Sequence, residues 1–440
     1  MSHSQMLLCV QLINGYGAHP GAWRMAGVDP ASYTDMDVFV GYAQAAERGK
    51  IQTLFFADTP VLDVDLASEP PHFPIDPIVV MTAIARETER LGLVATASTT
   101  FNEPYNLARQ FKALDVISRG RVGWNAVTTS DPLAAANFGA KPLQRQEKYE
   151  RAHEMIQVVQ ALWGSWSENA LRADTARGVF ADPAQVVPID LRGRHVAARG
   201  PLPIPPSPQG QPVIFQAGGG AAGLALAGSY ATGVYANPFD IASGRAKRDA
   251  LRFGAVRAGR QADEVKLFAG LMPSIADSRE NAVARRRFMD QVVDVRQRIR
   301  YLGGMVGLDL SRHDIDRPLP ETEYQQAHAD PSDPRAPRAL AVLREGWSLR
   351  DVVAHGVVDY HPVVAGTAAD VADHMQTWFE AGACDGFSIA IDSLHDGLDR
   401  FVDEVVPILQ ARGLFQLDYA GTTLREHLGA PYQYGRDARL

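Results

Sequence analysis

Short runs of consecutive apolar residues alternate, in the first third of the chain, with longer stretches whose apolar residues recur at helical spacing. The runs predict four buried strands, over residues 7–13, 53–57, 91–98 and 122–127. The stretches between them predict helices over residues 37–48, 77–90 and 105–117. Strands that are apolar throughout and separated by helices are typical of a parallel sheet covered by helices.

The same alternation continues beyond residue 145. Strands are predicted over residues 213–217, 233–236, 266–271 and 386–391, and helices over residues 145–163, 221–230, 241–258, 278–303, 368–381 and 398–412. Two segments interrupt it. Residues 164–211, rich in proline and glycine, predict an insertion with a small hairpin, and residues 304–345 predict a second insertion on the surface. Eight strand–helix units with two insertion segments predict one (β/α)8 TIM barrel, of the α/β class, over residues 1–440.

The composition narrows the class of protein further. A hydrophobic content of 46% and a charged content of 21% are ordinary for a globular chain of 440 residues. The net charge of −8 favours neither nucleic acid nor an anionic membrane as a partner. Cys9 and Cys384 lie in apolar segments far apart, which indicates buried thiols rather than a disulfide framework. The first apolar run is too short for a signal peptide or a membrane span, so a cytoplasmic location is expected.

Polar or glycine residues follow several predicted strands directly. Active sites of such barrels are built at the carboxyl ends of the strands, so the candidates are His19, Asp58, Thr96, Asn125 and the triplet Gly218, Gly219 and Gly220. Asp58 fits a hydrogen bond to a ligand, but it also fits the cap of the following turn. His19 fits polarisation of a substrate, although a loop histidine is more often a surface group.

The glycine triplet lies between a predicted strand and a helix that begins at Ala221. Free backbone amides at the beginning of a helix bind phosphate through their N–H groups and the helix dipole, although a glycine-rich turn also serves as a plain connection. Arg145 and Tyr149 are four residues apart on one predicted helix, so they share a face from which they reach a phosphate or a ring.

Strand alternation separates the residues around Asn125. Trp124 points away from Asn125, so it is expected to pack against the helices rather than to face a ligand. Arg119 and Arg121 come at the opposite end of the same strand, where a structural role is expected.

Motifs that would supply a nucleophile or a metal are missing from the sequence. It contains no G-x-S-x-G elbow, no Walker lysine loop, no C-x-x-C and no histidine pair at zinc-protease spacing. No metal site is therefore predicted. A barrel enzyme without its own redox group is expected to use a bound cofactor for the difficult step.

Five stretches together resemble the bacterial-luciferase-like flavin monooxygenases, and most closely the branch with nitrilotriacetate, long-chain alkane and dibenzothiophene-sulfone monooxygenases. They are HPGAWR from His19, LFFAD ending at Asp58, SRGRVGWNAVTTS with AAANFG, RGPLPIPPSPQGQPVIFQAGG ending at Gly219, and AGTAADVADHMQTWFEAGACDGFSI from Ala365. They follow the family's order over nearly the whole chain.

The resemblance implies a barrel that binds reduced FMN (FMNH2), supplied by a separate NAD(P)H:flavin reductase. O2 then adds to the flavin, and the resulting peroxyflavin oxygenates a small organic substrate. The resemblance also implies that Asp58, Thr96 and Asn125 line the isoalloxazine, that Tyr149 reaches the FMN, and that the turn at residues 218–220 holds its phosphate. A homodimer or a dimer of dimers is expected on the same ground.

The chain departs from the family pattern at two places. Arg145 stands where the family usually has a histidine, and Gly219 and Gly220 stand where it usually has one or two serines. The backbone amides remain and Arg145 adds a charged phosphate contact, so FMN binding is still expected. Two alternatives stay open: a deazaflavin-dependent oxidoreductase of the same fold, and a non-catalytic flavin-binding protein.

Overall fold

Eight parallel strands close into a barrel in the computed structural model, which describes residues 5–433. The strands of this range are β1 (Leu7–Leu12), β2 (Thr53–Phe56), β3 (Gly92–Ser98), β4 (Val122–Val127), β5 (Leu171–Asp174), β6 (Val179–Ala181), β7 (Leu191–Arg192), β8 (Ala197–Ala198), β9 (Val213–Gln216), β10 (Gly233–Ala236), β11 (Lys266–Ile275), β12 (Val363–Gly366) and β13 (Gly386–Ile389). Around the ring the order is β1, β2, β3, β4, β9, β10, β11 and β13, which pairs again with β1. The predicted TIM barrel is confirmed.

Helices surround the strands. They are α1 (Met36–Arg48), α2 (Pro77–Glu87), α3 (Pro104–Ile117), α4 (Pro132–Asn137), α5 (Arg145–Trp163), α6 (Gly220–Tyr230), α7 (Ile241–Arg257), α8 (Arg279–Met289), α9 (Val295–Val306), α10 (Glu321–Tyr324), α11 (Ala336–Arg344), α12 (Leu349–Ala354), α13 (Ala368–Glu380), α14 (Leu394–Arg400), α15 (Val406–Ala411) and α16 (Leu424–His427). Side chains of Asp35, Asp76 and Asp131 accept backbone N–H groups at the beginnings of α1, α2 and α4. None of the helices within residues 5–433 has the length and apolar character needed to cross a membrane.

One predicted helix, over residues 398–412, is not a single α-helix. A π-helical segment, Phe401–Val405, separates α14 from α15. Pro407 is the second residue of α15, and because proline has no N–H, it removes an α-helical hydrogen bond at this point.

Trp124 points outward from the barrel, as predicted. Its side chain is completely buried, and its ring contacts Phe111 of α3 and Trp163 of α5. Its Nε1 donates a hydrogen bond to the carbonyl oxygen of Ala97 at 3.0 Å, which satisfies its one polar group.

Arg121 has the expected structural role at the amino end of β4. It is buried, and its guanidinium donates to the carbonyl oxygens of Ser118, Ala85, Thr88 and Leu91. These bonds join the end of α2 to the beginning of β4.

The amino end of the barrel is filled from within. Phe55, Phe215 and Phe268 pack there with Leu424, which comes from α16 near the carboxyl terminus. A side chain at Gly92 would lie 2.5 Å from Leu424, so glycine leaves the room that this contact needs. Because this end is closed, the open volume of the barrel lies at the carboxyl ends of the strands.

The first insertion contains two hairpins where one was predicted. β5 pairs with β6, and β7 pairs with β8, both antiparallel. Both hairpins lie within the segment that was predicted to interrupt the barrel, residues 164–211.

The second insertion differs more from the expectation of a surface excursion. Helices α9, α11 and α12 form a hydrophobic core of their own, whose members include Ile299, Leu302, Ala339, Leu343 and Val352. The predicted single helix over residues 278–303 is in fact α8 and α9. It is broken because Asp294 caps α9 by accepting from the backbone N–H of Gln297, while Asp290 is buried in an ion pair.

β12 was not predicted, and β11 is longer than predicted. The first part of β11 pairs with β10 and β13, whereas Met272–Ile275 pairs with β12. Two of the four residues of β12 are partly exposed, so its short apolar run is less buried than the barrel strands.

Candidate active site

A cavity of about 720 Å³ lies at the carboxyl ends of the barrel strands. One side of it, here called the strand wall, consists of Asp58, Thr96, Asn125 and Ala217. Thr96 and Asn125 lie in the second half of β3 and β4, and Asp58 and Ala217 come after β2 and β9. Another part of the lining, here called the segment wall, consists of Val293, Arg298 and residues 358–361, which come from the region of the second insertion. A cavity of this size accommodates a ring system together with a small molecule.

Asn125 and Thr96 are paired on the strand wall. They are register partners in β4 and β3, and Asn125 Nδ2 donates to Thr96 Oγ1 at 2.9 Å. Asn125 is 2% exposed, and its Oδ1 accepts no hydrogen bond from any residue in the described range. A buried acceptor without a donor is costly, so Oδ1 is suited to a ligand N–H group in the cavity.

Asp58 also faces the cavity, without a hydrogen bond to a described residue. Burial, and secondarily the nearby carboxylate of Asp76, raises the pKa of Asp58 to about 7. The side chain is therefore divided between its neutral and charged forms near neutral pH. It does not cap the following turn in this structure.

His19 lies at the cavity, but the protein engages both of its ring nitrogens. Gly21 N donates to Nδ1 at 3.0 Å, so Nε2 carries the proton and donates to Asp290 Oδ1 at 3.2 Å. Burial lowers the pKa of His19, although the hydrogen bond to Asp290 opposes this shift. This geometry suits a residue that positions the first loop against α8. Both ring nitrogens are hydrogen-bonded within the protein, and a catalytic role of His19 stays a prediction.

The segment wall is held by a buried ion network that was not predicted. Arg298 donates to Asp290 at 2.6 Å and also to Asp359, which in turn accepts from Arg286. Two guanidinium groups and two carboxylates thus neutralise one another. These residues come from α8, α9 and the loop before β12, and no sequence motif groups them.

Three further residues complete the rim near the segment wall: Tyr235 in β10, Met272 in β11 and His361 before β12. They also were not predicted. Tyr235 lies within the strand predicted over residues 233–236, but it was not singled out as a site residue. Met272 lies one residue beyond the strand predicted over residues 266–271, so a longer prediction for β11 would have included it.

The remaining predicted residues gather beside the cavity, next to Ala217. Gly218 and Gly219 precede α6, and Gly220 begins it with a φ of +71°. A side chain at Gly220 would lie 2.8 Å from Arg145 Nη2, and one at Gly223 would lie 3.3 Å from Tyr149 Oη. The structure therefore brings Arg145 and Tyr149 to the beginning of α6.

The beginning of α6 is suited to an anion. Gly219, its N-cap, has no side chain to accept from the first turn, so the backbone N–H groups there have no side-chain cap. Arg145 forms no ion pair with a described residue. Free amides, the helix dipole and a guanidinium together favour a phosphate group.

Comparison with known proteins agrees with this geometry. Residues 18–385 match the family model of luciferase-like monooxygenases. The chain belongs to the luciferase-like monooxygenase family. The resemblance of the five sequence stretches is thereby confirmed.

Relatives of this luciferase-like monooxygenase are similar over almost their full length. It is 37% identical over 432 residues to N-acetyl-S-(2-succino)cysteine monooxygenase from Bacillus subtilis (strain 168), with 97% of each chain covered. It is 35% identical to dibenzothiophene-sulfone monooxygenase from Rhodococcus erythropolis, with 93% of each covered. The structure of EDTA monooxygenase from Chelativorans sp. BNC1 superposes with a TM-score of 0.83 at 35% identity, covering 97% of this chain and 99% of that one. The protein is thus an enzyme of a flavin-dependent monooxygenase family.

Proposed function

We propose that the protein is the oxygenase component of a two-component monooxygenase. In this proposal it binds FMNH2 supplied by a separate NAD(P)H:flavin reductase and uses O2 to oxygenate a small organic substrate. The observation that carries the proposal is the buried, unpaired Oδ1 of Asn125, which faces the cavity beside a glycine-rich anion site. An acceptor and an anion site on the same side of the barrel suit a flavin ring and its phosphate.

The residues present fit FMN. Asn125 Oδ1 would accept from an N–H group of the ring, and Thr96 holds the Asn125 amide in orientation. The backbone at residues 218–220 would hold the phosphate, with Arg145 as the charged partner and Tyr149 as a hydroxyl donor. Gly219 has open space around its Cβ position and Gly220 has only the Arg145 guanidinium near it, so both leave room for a phosphate.

Reduced FMN, when bound, supplies the electrons for the reaction with O2. Overall, one oxygen atom enters the substrate, the other leaves as water, and FMNH2 is oxidised to FMN. The chain's own task is to orient the ring and to keep water away from it. Ile13, Phe55 and Val127 line the cavity with apolar surface for this purpose.

An interface between copies of the chain is also part of the proposal. Val79 of α2 and Val116 and Ile117 of α3 are exposed by 63%, 41% and 40% of their surfaces. Apolar side chains on these two helices suit the dimer that the sequence predicts. Light scattering at several protein concentrations would measure the oligomeric state.

The central experiment is an anaerobic titration with FMNH2, followed by addition of 18O2 and a panel of neutral and anionic organic compounds. We expect tight binding of FMNH2 and mass-spectrometric gain of one 18O atom by at least one compound. Tight flavin binding without oxygenation of any compound would instead support a flavin-binding protein. Tighter binding of a reduced deazaflavin than of FMNH2, with hydride transfer and no 18O gain, would replace the proposal by the deazaflavin alternative.

A further inference from the structure

His361 lines the cavity without any partner for its ring nitrogens. The residue is 9% exposed, and it forms no hydrogen bond with any other residue in the described range. Its ring contacts two aromatic neighbours instead, Tyr235 with a centroid distance of 6.4 Å and Tyr360 with one of 5.0 Å. Its ring nitrogens are therefore available for a hydrogen bond to a ligand atom in the cavity.

The backbone around His361 is held firmly. Met272 N donates to the carbonyl oxygen of Pro362 at 2.7 Å, at the point where β11 begins to pair with β12. Asn237 Nδ2 donates to the carbonyl oxygen of Tyr360 at 3.1 Å. Because bonds flank the residue on both sides, little conformational freedom is lost when a ligand binds His361.

The charged side chains of the segment wall are already paired with one another. Apart from histidines, the described residues that line the cavity include three charged side chains, Asp58, Arg298 and Asp359. Arg298 is paired with both Asp290 and Asp359, and Asp359 is also paired with Arg286. Burial lowers the pKa of His361 to about 4, so its ring is neutral at pH 7. The described lining therefore offers no uncompensated cation to an anionic substrate.

Apolar side chains also line the cavity. Met272, Val293, Val358 and Phe73 line the same cavity. A polycarboxylate placed here would lose its hydration, and no unpaired cation of the described lining would compensate its charge. The unpaired charged group that it would meet is the carboxyl of Asp58, which has the same sign. An apolar molecule would replace water at these side chains with a gain in free energy.

We propose that the substrate is an uncharged, largely apolar molecule with one hydrogen-bonding atom, and that His361 is the specificity-determining residue that binds this atom. The proposal rests on the proposed function and adds the class of substrate. According to this proposal, the substrate of this chain differs in charge from EDTA, for which one relative is named. The chain instead prefers uncharged compounds of the dibenzothiophene-sulfone type.

The test uses the full chain loaded with oxidised FMN and measures equilibrium binding through the change in FMN fluorescence. The probes are dibenzothiophene sulfone, which is neutral and has hydrogen-bond acceptors, and EDTA, which is polyanionic. EDTA is titrated twice, once without metal and once as its magnesium complex. In both cases we expect the Kd of the sulfone to be at least about tenfold lower than that of EDTA.

The H361F variant keeps a ring of similar size and removes both nitrogens. We expect it to raise the Kd of the sulfone roughly tenfold, the effect of one lost hydrogen bond, and we expect H361N to restore most of the affinity. H72F is the matched control, because His72 lines the same cavity but is half exposed and lies 3.7 Å from Glu69. The Kd of FMN, measured for each variant, shows whether the fold and the flavin site are intact.

Three results would overturn the inference while FMN binding is normal: tighter binding of EDTA than of the sulfone, an unchanged Kd in H361F, or no binding of the sulfone. Failure of the proposed function would be recognised by a different result, namely no 18O gain by any compound in the oxygenation experiment. A wild-type enzyme that oxygenates only polyanions would keep the proposed function and remove this inference.

Discussion

The strand wall and the segment wall face the same cavity, but different interactions hold them. The strand wall stands on the hydrogen-bonded ladder of the barrel, where Thr96 and Asn125 are direct register partners. The segment wall is stabilised by buried ion pairs, chiefly those of Arg286 and Arg298 with Asp359. A ladder tolerates the loss of one side chain, whereas a buried ion network leaves an uncompensated charge when one member is removed.

The largest effect is expected from R286M, which breaks the network of the segment wall. Arg286 is completely buried, donates to Asp359 and donates to the carbonyl oxygen of Ala354 at 2.7 Å. Its removal leaves the carboxylates of Asp290 and Asp359 with the guanidinium of Arg298 alone, so one buried negative charge is uncompensated. We therefore expect a loss of about 3–5 kcal/mol in the free energy of unfolding, measured by urea denaturation. R350M is the control, because Arg350 forms a more exposed pair with Asp316 and should cost less than about 1 kcal/mol. Equal losses in both variants would remove the contrast between the walls.

Next in size is the effect of G220A on the flavin site beside the strand wall. Alanine at this position must adopt a φ of +71°, and its methyl group would lie 2.8 Å from Arg145 Nη2. The guanidinium must therefore move away from the proposed phosphate position. We expect the Kd of FMN to rise at least about tenfold. G259A is matched, since Gly259 has a φ of +78° with open space around it. Both variants should lose about 1–2 kcal/mol of stability from the backbone, but only G220A should lose FMN affinity.

A smaller effect is expected from N125L, which removes the free acceptor of the strand wall. One hydrogen bond to the flavin ring is lost, so the Kd of FMN should rise about three- to tenfold in a fluorescence titration. Asn102 donates to the carbonyl oxygen of Ser98 outside the cavity lining, and N102L should leave the Kd unchanged. An unchanged Kd in N125L would argue against contact between Asn125 and the ring.

The smallest effect concerns the carboxyl of Asp58, whose charge on the strand wall has no countercharge. Its pKa in the folded chain is about 7 and its ordinary value is 3.8. Its contribution to stability is therefore full below about pH 4 and is lost as the pH rises to about 7. D58N avoids this loss, so the Tm of D58N without flavin should gain a few degrees on wild type between pH 5 and pH 8.

D316N is the control for this pH series. Its hydrogen bond with Arg350 lowers the pKa of Asp316, so this group stays charged between pH 5 and pH 8. Its Tm difference from wild type should not change with pH over this range. A D58N difference that is equally flat would mean that the pKa of Asp58 is not raised.

The strand wall could be predicted from the sequence, whereas the segment wall could not. Asn125 and Thr96 end apolar runs, and the barrel topology alone brings the ends of such runs together. Arg298 lies about sixty residues before Asp359 and His361 in the sequence. Its approach to them depends on the packing of α9, α11 and α12. Segments rich in aspartate and arginine usually lie on the surface. A prediction from the sequence therefore places the residues of these buried ion pairs in solvent.

Two further differences have local causes. The break between α8 and α9 follows from Asp290, which pairs with His19 and Arg298 instead of remaining on a solvent-exposed helix face. The hydrogen-bond partners of His19 could not be predicted either. Its tautomer is fixed by Gly21 and Asp290, and only the second of these lies far away in sequence.

β11 belongs to both walls, because its first part is a barrel strand and its last four residues carry β12 and the loop of His361. The molecule can therefore be divided at two points within one sheet, between Leu271 and Met272 and after Gly366. A chimera that receives residues 272–366 from a relative would exchange the segment wall as one continuous stretch and keep the strand wall and the proposed flavin site of the host. Diversification of substrates in such barrels can proceed by replacing one continuous stretch of the gene.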